Sequence, residues 1–203
     1  IFLQIAEVDK ETVETQFALG HLFRRRGEVD RAIRLHQNLV ARTGLSEEQK
    51  TRAALELGED YMRAGLLDRA ETLFNDLVQM GVHAPKALQQ LITIYQAERD
   101  WPQAITHALK YEQITGEPMG ESVAHYYCEV AEKYIHENNL KSARDQIALA
   151  YSSDSQCVRA GMIEGRLDLM ENNDAGAIRA FERVARHDVD FLPGVLPQPL
   201  EGF

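Results

Sequence analysis

The chain has 203 residues, 44% hydrophobic and 27% charged, which is typical of a globular domain and excludes wholesale disorder. Its apolar runs are short (Leu91–Tyr95 is typical), whereas a membrane-spanning helix needs about 20 apolar residues, so no span is expected. Lys and Arg number 22 against 32 Asp and Glu, and this net charge of −10 makes nucleic acid a poor candidate partner.

A motif recurs along the chain with a period of 34 to 39 residues. An aromatic residue is followed nine positions later by alanine, and successive alanines are 38, 34, 39 and 34 residues apart. The pairs are Phe23–Ala32, Tyr61–Ala70, Tyr95–Ala104 and Tyr134–Ala143, with Asp168–Ala177 keeping the spacing without the aromatic. The pattern resembles the tetratricopeptide repeat, a helix–turn–helix unit of about 34 residues. It predicts an all-α solenoid of antiparallel helix pairs.

Ten helices follow from this register. First helices are predicted over 12–26, 47–64, 84–98, 121–137 and 157–171, and second helices over 30–43, 67–79, 101–115, 140–151 and 175–187. Small residues on the first helices, at Gly20, Gly58, Ala131 and Gly165, are expected to admit the second helices closely. Predicted helix starts comprise N-caps at Asp30, Asp68 and Asp174, a capping box at Ser46 and Gln49, and first-turn prolines at Pro85 and Pro102.

The whole chain, 1–203, is therefore interpreted as one tetratricopeptide domain fragment. Residues 1–12 are expected to end a preceding repeat, with residues 1–10 as the end of its second helix. Five repeats follow over 13–46, 51–84, 85–118, 124–157 and 158–187. Residues 188–203 are expected to start a next repeat or to form a cap.

Three segments resemble one family more closely than the fold requires. Residues 18–37, 57–71 and 87–96 resemble the lipopolysaccharide assembly protein B family of Gram-negative bacteria, and the similarity covers most of residues 1–187. That family has an N-terminal inner-membrane anchor, a cytoplasmic tetratricopeptide domain and a C-terminal rubredoxin-like metal module. The chain contains neither the anchor nor the Cys-x-x-Cys pairs, so we expect it to be a segment of a longer protein without a cofactor of its own.

The resemblance implies an adaptor at the cytoplasmic face of the inner membrane. Such proteins promote degradation of the lipid A pathway deacetylase by a membrane-bound AAA+ protease, and a lipopolysaccharide-sensing membrane protein opposes them. These three proteins are the implied partners, and lipopolysaccharide is a further candidate ligand. The alternative is a generic peptide-binding or co-chaperone module in envelope assembly. A carboxylate clamp is disfavoured because its Lys and Asn positions hold His21, Glu59 and Thr93.

An enzyme is disfavoured because the chain has no phosphate-binding loop, no His-Glu-x-x-His and no Gly-x-Ser-x-Gly. Glu129, Glu132 and His136 share one predicted helix without a nucleophile or metal beside them. Cys128 and Cys157 are interpreted as small buried hydrophobes, with a disulfide or a metal pair as the alternative. We therefore predict neither catalytic residues nor a metal site.

The predicted binding site is a groove lined by the first helices. The candidate residues are His21, Arg24, Arg25, Arg52, Glu59, Arg63, Lys86, Gln89, Gln96, His125, Arg159 and Arg166. The inward positions of all five first helices carry seven Lys or Arg against three Glu, an excess of four positive charges. Such a surface suits an acidic peptide or a lipid phosphate. The alternative is that these cations are solvated or pair with neighbouring acids.

Overall fold

The structure is a computed structural model that describes the backbone of residues 2–187 and the side chains of residues 12–186. Every regular element in this part of the chain is an α-helix. The helices are α1 (Phe2–Arg25), α2 (Val29–Ala41), α3 (Glu47–Arg63), α4 (Leu67–Met80), α5 (Ala84–Glu98), α6 (Trp101–Thr115), α7 (Gly120–His136), α8 (Leu140–Ser153), α9 (Val158–Met170) and α10 (Asp174–His187). Apart from the start of α1, each boundary lies within two residues of its prediction.

The N-terminal part of the prediction is wrong in one respect. Residues 2–10 do not form a separate helix, because α1 runs without a break from Phe2 to Arg25. Residues 6–19 contain neither Gly nor Pro, so the sequence has no residue there that would interrupt a helix. The assignment of 1–12 to a preceding repeat stays a prediction, and the expected cap over 188–203 lies outside the described residues.

The helices form two compact units that divide between Glu117 and Pro118. In the first unit each helix from α1 to α6 packs against the next, and α1, α3 and α5 also pack side by side. In the second unit α7 to α10 pack in the same succession, and α7 also contacts α9. Each unit therefore has a layer of first helices and a layer of second helices.

Within a repeat the two helices meet at small residues. A Cβ atom at Gly58 would lie 2.6 Å from the ring of Phe74 on α4, and one at Gly165 would lie 2.4 Å from the ring of Phe181 on α10. The alanine near the start of each second helix is buried in all five repeats: Ala32, Ala70, Ala104, Ala143 and Ala177. The predicted close approach at these glycines is confirmed.

The turn between the two helices has the same backbone geometry in all five repeats. The residue four places after the aromatic position is left-handed in every repeat: Gly27 (φ 79°), Gly65 (φ 73°), Arg99 (φ 58°), Asn138 (φ 57°) and Asn172 (φ 59°). The following residue directly precedes the second helix. The predictions of Asp30 and Asp68 as N-caps are therefore wrong, since both lie in the first helical turn, behind Glu28 and Leu66.

The other predicted helix starts agree more closely with the structure. Ser46 and Gln49 form the predicted capping box of α3. Prolines occupy the first turns of α5 and α6 as expected. At α10 the predicted cap is one residue too late, because Asp174 is already helical and the side chain of Asn173 accepts a hydrogen bond from the Gly176 amide.

Candidate protein-interaction surface

The first-helix layer of the first unit is held by a charged network around Arg24. The Arg24 guanidinium on α1 donates to Asp60 Oδ1 at 2.9 Å and to Glu56 Oε2 at 2.7 Å, both on α3. It also donates to the Glu56 carbonyl oxygen and approaches Glu59 Oε2 at 3.0 Å. Lys86 Nζ on α5 pairs with Glu59 Oε1 at 2.7 Å. The network therefore connects α1, α3 and α5.

The network continues into the core through a buried histidine. His36 Nδ1 on α2 lies 2.5 Å from Asp60 Oδ2, and both side chains are completely buried. His21 Nε2 lies 2.8 Å from Glu56 Oε2 at the edge of the network. We refer to His21, Arg24, His36, Glu56, Glu59, Asp60 and Lys86 as the Arg24 cluster.

Burial and ion pairing have opposite effects on the pKa values of Glu56 and Arg24 in the Arg24 cluster. Burial alone would raise the pKa of Glu56, but the hydrogen bond and charge of Arg24, together with His21, lower it below its ordinary value. Burial likewise opposes the charge of Arg24, and the carboxylates of Glu56, Asp60 and Glu59 more than offset it, so the pKa of Arg24 is raised. Both groups are held in their charged forms.

The predicted groove residues of the first unit differ in what they contact. Arg24 is only 17% exposed and is engaged with three carboxylates, which agrees with the alternative that the groove cations pair with neighbouring acids. Arg52 binds both carboxylate oxygens of Glu14, at 2.9 and 3.0 Å. Arg25 and Arg63 occupy equivalent positions of α1 and α3, are exposed, and pair with none of the described residues.

The remaining polar candidates of this unit lie on α5 and remain accessible. Gln89 donates to the Tyr111 hydroxyl at 2.8 Å, and its side chain is exposed. Gln96 is exposed as well. Neither is buried by the fold, so both stay available in part to a partner.

In the second unit the candidates lie on α7 and α9. Arg159 Nη1 pairs with Glu129 Oε1 at 2.6 Å and lies 3.1 Å from His125 Nδ1, while Arg166 pairs with Glu132. The same side of α9 exposes Met162 (41%), Leu169 (50%) and Met170 (45%). We call Arg159, Met162, Arg166, Leu169 and Met170 the α9 face. It alternates long apolar side chains with paired arginines.

The charge balance of these surfaces differs from the predicted excess of four. In the first unit three of the five cations, Arg24, Arg52 and Lys86, pair with four acids: Glu14, Glu56, Glu59 and Asp60. In the second unit Arg159 and Arg166 meet Glu129 and Glu132. Three of these acids, Glu56, Asp60 and Glu129, lie outside the positions that were counted from the sequence. The cations mostly form ion pairs, which was the alternative interpretation.

Sequence reasoning missed the buried members of the Arg24 cluster, although a signal was present. His36 stands where Phe74 and Phe181 stand in other repeats, and Asp60 stands at a position that is apolar in three of the other four repeats, as Leu22, Ile94 and Leu167. Two polar residues in normally apolar positions, in adjacent repeats, are typical of a buried pair.

Comparison with known proteins fits the repeat geometry. The tetratricopeptide repeat family model matches residues 17–50. A crystal structure of MamA superposes with a TM-score of 0.55 at 17% identity, covering 93% of this chain and 100% of that chain. MamA from Desulfovibrio magneticus RS-1 gives a TM-score of 0.51 at 13% identity, covering 87% and 95%. The chain has the tetratricopeptide-repeat fold. The predicted all-α solenoid fold class is confirmed.

Sequence comparison relates the chain to one kind of tetratricopeptide-repeat protein, which the similarity in fold alone does not do. Lipopolysaccharide assembly protein B of Escherichia coli strain K12 is 37% identical over 196 residues, which are 97% of this chain and 50% of the relative. The protein of the same name from Haemophilus influenzae is 34% identical over 199 residues, covering 96% and 50%. The predicted resemblance to this family is confirmed, and the chain spans about half the length of these relatives.

Two kinds of feature are absent from the described residues. None of the helices over residues 2–187 combines the length and apolarity that a bilayer crossing requires. Within the same part of the chain, no three His, Cys, Asp or Glu side chains are grouped as metal ligands would be.

Proposed function

We propose that this chain is the repeat segment of a non-enzymatic adaptor that binds other proteins in lipopolysaccharide assembly. The observation that carries the proposal is the 37% identity of nearly the whole chain to lipopolysaccharide assembly protein B. The tetratricopeptide fold supports it, because stacked helix pairs present extended surfaces for protein partners. The finer role is to promote proteolysis of the lipid A pathway deacetylase by a membrane-bound AAA+ protease, at the cytoplasmic face of the inner membrane and opposed by a lipopolysaccharide-sensing membrane protein.

The α9 face supports a protein ligand in the second unit. Met162, Leu169 and Met170 are each more than two-fifths exposed on one side of a single helix. Flexible Met side chains adapt to apolar partners, and Arg166 beside them can exchange its bond to Glu132 for a carboxylate of the partner. The expected ligand is a segment that carries both apolar and acidic side chains.

Arg25 and Arg63 support an acidic ligand in the first unit. They are the predicted groove cations that keep their charge unpaired among the described residues. An acidic segment can therefore bind them without first displacing a carboxylate of the protein, whereas Arg24 would have to leave three.

A chimera tests the proposed role in the cell. This chain replaces the matching half of the Escherichia coli relative, and the lifetime of the deacetylase is measured after protein synthesis is stopped. We expect the chimera to shorten that lifetime as the intact relative does. The matched control carries the MamA repeats, which share the fold at 17% identity, and should not shorten it. A deacetylase lifetime that is equal in both chimeras would contradict the proposal.

Substitutions on the proposed surfaces locate the binding site. Leu169→Asp with Met170→Asp should weaken capture of the protease and the deacetylase at least tenfold, because it places two charges in an apolar contact. Ile178→Asp on α10 is the control, since Ile178 is 58% exposed but lies on a second helix. Equal capture by both variants would remove the α9 face from the proposal.

Charge reversal tests the first unit in the same way. Arg25→Glu with Arg63→Glu should weaken binding most at low salt, because exposed charges are screened as ionic strength rises. Arg34→Glu with Lys110→Glu on the second helices reverses the same number of exposed charges and should bind normally. Loss of binding by the second pair would show that net charge alone is responsible.

A further inference from the structure

Two cysteines that are 29 positions apart in the sequence meet in the second unit. Cys128 on α7 is completely buried among the side chains that join α7, α8 and α9. Cys157 directly precedes α9 and is half-buried. Their sulfur atoms are 4.0 Å apart. Both are free thiols.

The two thiols differ in access. Cys157 is only half-buried and lines a small surface pocket together with Tyr151, Gly161 and Arg183. Cys128 has no exposed surface and is not among the residues that line this pocket. An oxidant therefore meets Cys157 first.

They also differ in ionisation. The hydrogen bond from the Cys128 thiol, together with the amides of Ala160 and Arg159 at the start of α9, lowers the pKa of Cys157 to about 6, although burial and Asp154 oppose this. The pKa of Cys128 is raised by the same hydrogen bond and by burial. The accessible sulfur is thus the thiolate, and the buried sulfur keeps its proton.

We propose that Cys157 and Cys128 form a redox-sensitive dithiol, in which Cys157 reacts with hydrogen peroxide and Cys128 resolves the product into a disulfide. The Cys157 thiolate attacks one peroxide oxygen, the O–O bond breaks, and the departing hydroxide takes a proton to become water. The Cys128 sulfur then loses its proton and attacks the sulfenic sulfur, the S–O bond breaks, and a second water leaves. The two thiols lose two electrons, and the peroxide gains them.

The geometry permits the second step. A disulfide bond is about 2.05 Å long, so the sulfurs must close by roughly 2 Å. Cys157 can supply this movement because it lies on the short connection between α8 and α9, outside both helices. The new bond would tie α7 to the start of α9 beside the Arg159–Glu129 ion pair, and would hold together the two helices next to the α9 face.

Peroxide treatment of the reduced full chain is the first test. We expect both thiols to lose reactivity toward a maleimide together, with a mass decrease of about 2 Da and a peptide that links residues 128 and 157 after digestion without reductant. Two thiols that stay reactive would overturn the proposal. Oxygen addition of about 16 or 32 Da without a link would overturn the resolving role of Cys128.

Single variants assign the two roles, with circular dichroism as a check that each is folded. In Cys128→Ala the reaction should stop at the sulfenic acid of Cys157, which dimedone traps. In Cys157→Ser the buried Cys128 should not react. A disulfide-linked dimer as the main product of the wild-type chain would contradict an internal pair.

The wild-type chain offers a measurement that needs no variant. Iodoacetamide should alkylate Cys157 before Cys128, with a half-maximal rate near pH 6, the pKa of the Cys157 thiol. Modification of Cys128 first, or a half-maximal rate above about pH 8, where an ordinary thiol ionises, would refute the assignment.

Discussion

The buried pair of His36 and Asp60 should act as one energetic unit with Arg24. Asp60→Leu introduces leucine, the residue found at the equivalent positions 22 and 167 of other repeats. His36→Phe introduces phenylalanine, the residue found at the equivalent positions 74 and 181. Each variant alone leaves a buried partner unsatisfied. The double variant removes both partners, while Arg24 keeps Glu56 and Glu59.

The magnitudes follow from these contacts. Asp60→Leu removes a carboxylate that is bound on both oxygens, at 2.5 and 2.9 Å, and should lower the free energy of unfolding by about 3–5 kcal/mol. His36→Phe leaves one buried carboxylate oxygen without a partner and should cost about 1–3 kcal/mol. The ring itself should fit, because Gly20 faces His36 as Gly58 faces Phe74. The double variant should cost less than the sum, with a coupling of about 1–3 kcal/mol.

Tryptophan fluorescence in urea provides the assay. The chain has one tryptophan, Trp101 at the start of α6, so the signal reports the first unit. Lys86→Ala is the control, since Lys86 is half-exposed and its removal should cost at most about 1 kcal/mol. A coupling below about 0.5 kcal/mol would show that Asp60 and His36 contribute independently, and would refute the network.

Three further changes test the repeat geometry and the charges. Ala70→Leu should destabilise by roughly 1–3 kcal/mol through overpacking, and exposed Arg69→Ala by less than about 0.5 kcal/mol; equal effects in urea titrations would mean a wrong register. Gly65→Ala should cost about 1–2 kcal/mol, because its left-handed φ of 73° disfavours a Cβ even though nothing lies within 4 Å, and an unchanged urea midpoint would contradict this. Folding lowers the pKa of Glu56, so its ionised form stabilises the protein above the ordinary value of 4.5, and this contribution is lost as the pH falls through the lower folded value. Glu56→Gln should therefore show a weaker loss of stability below about pH 4.5, and an unchanged pH profile would exclude the ion pair as its cause.

The helical framework could be predicted because its determinants are local. The spacing of Phe23 to Ala32 and its later copies identifies the repeat, and each boundary depends on residues within one turn of it, such as Ser46 with Gln49. The errors arose where the local signal was indirect. Asp is a residue type that is common at N-cap positions, which is why Asp30 was predicted as the N-cap of α2. The left-handed conformation of Gly27 instead makes the next residue, Glu28, the N-cap.

The charged surface could be predicted only in part. The positions of Arg25 and Arg63 on the first helices, and the exposed apolar residues of α9, follow from the helical period alone. Whether a cation is unpaired depends on the acidic side chains of the neighbouring repeat that lie within reach of it. The predicted charge excess counted only the inward positions of the first helices, and these positions do not include Glu56 and Glu129.

The sequence by itself determined the repeat, its period, the pairing of helices and the family to which it is similar, because these depend on residues close together in the chain. Only the tertiary structure decided that Arg24 is committed to Glu56 and Asp60, and that Cys128 lies beside Cys157. These contacts join residues 29 to 36 positions apart, and their existence depends on how neighbouring repeats are rotated against each other. A shift of one helical turn between repeats would leave every local sequence pattern intact. It would displace the two residues of each pair relative to each other by about 5.4 Å along the helix axis.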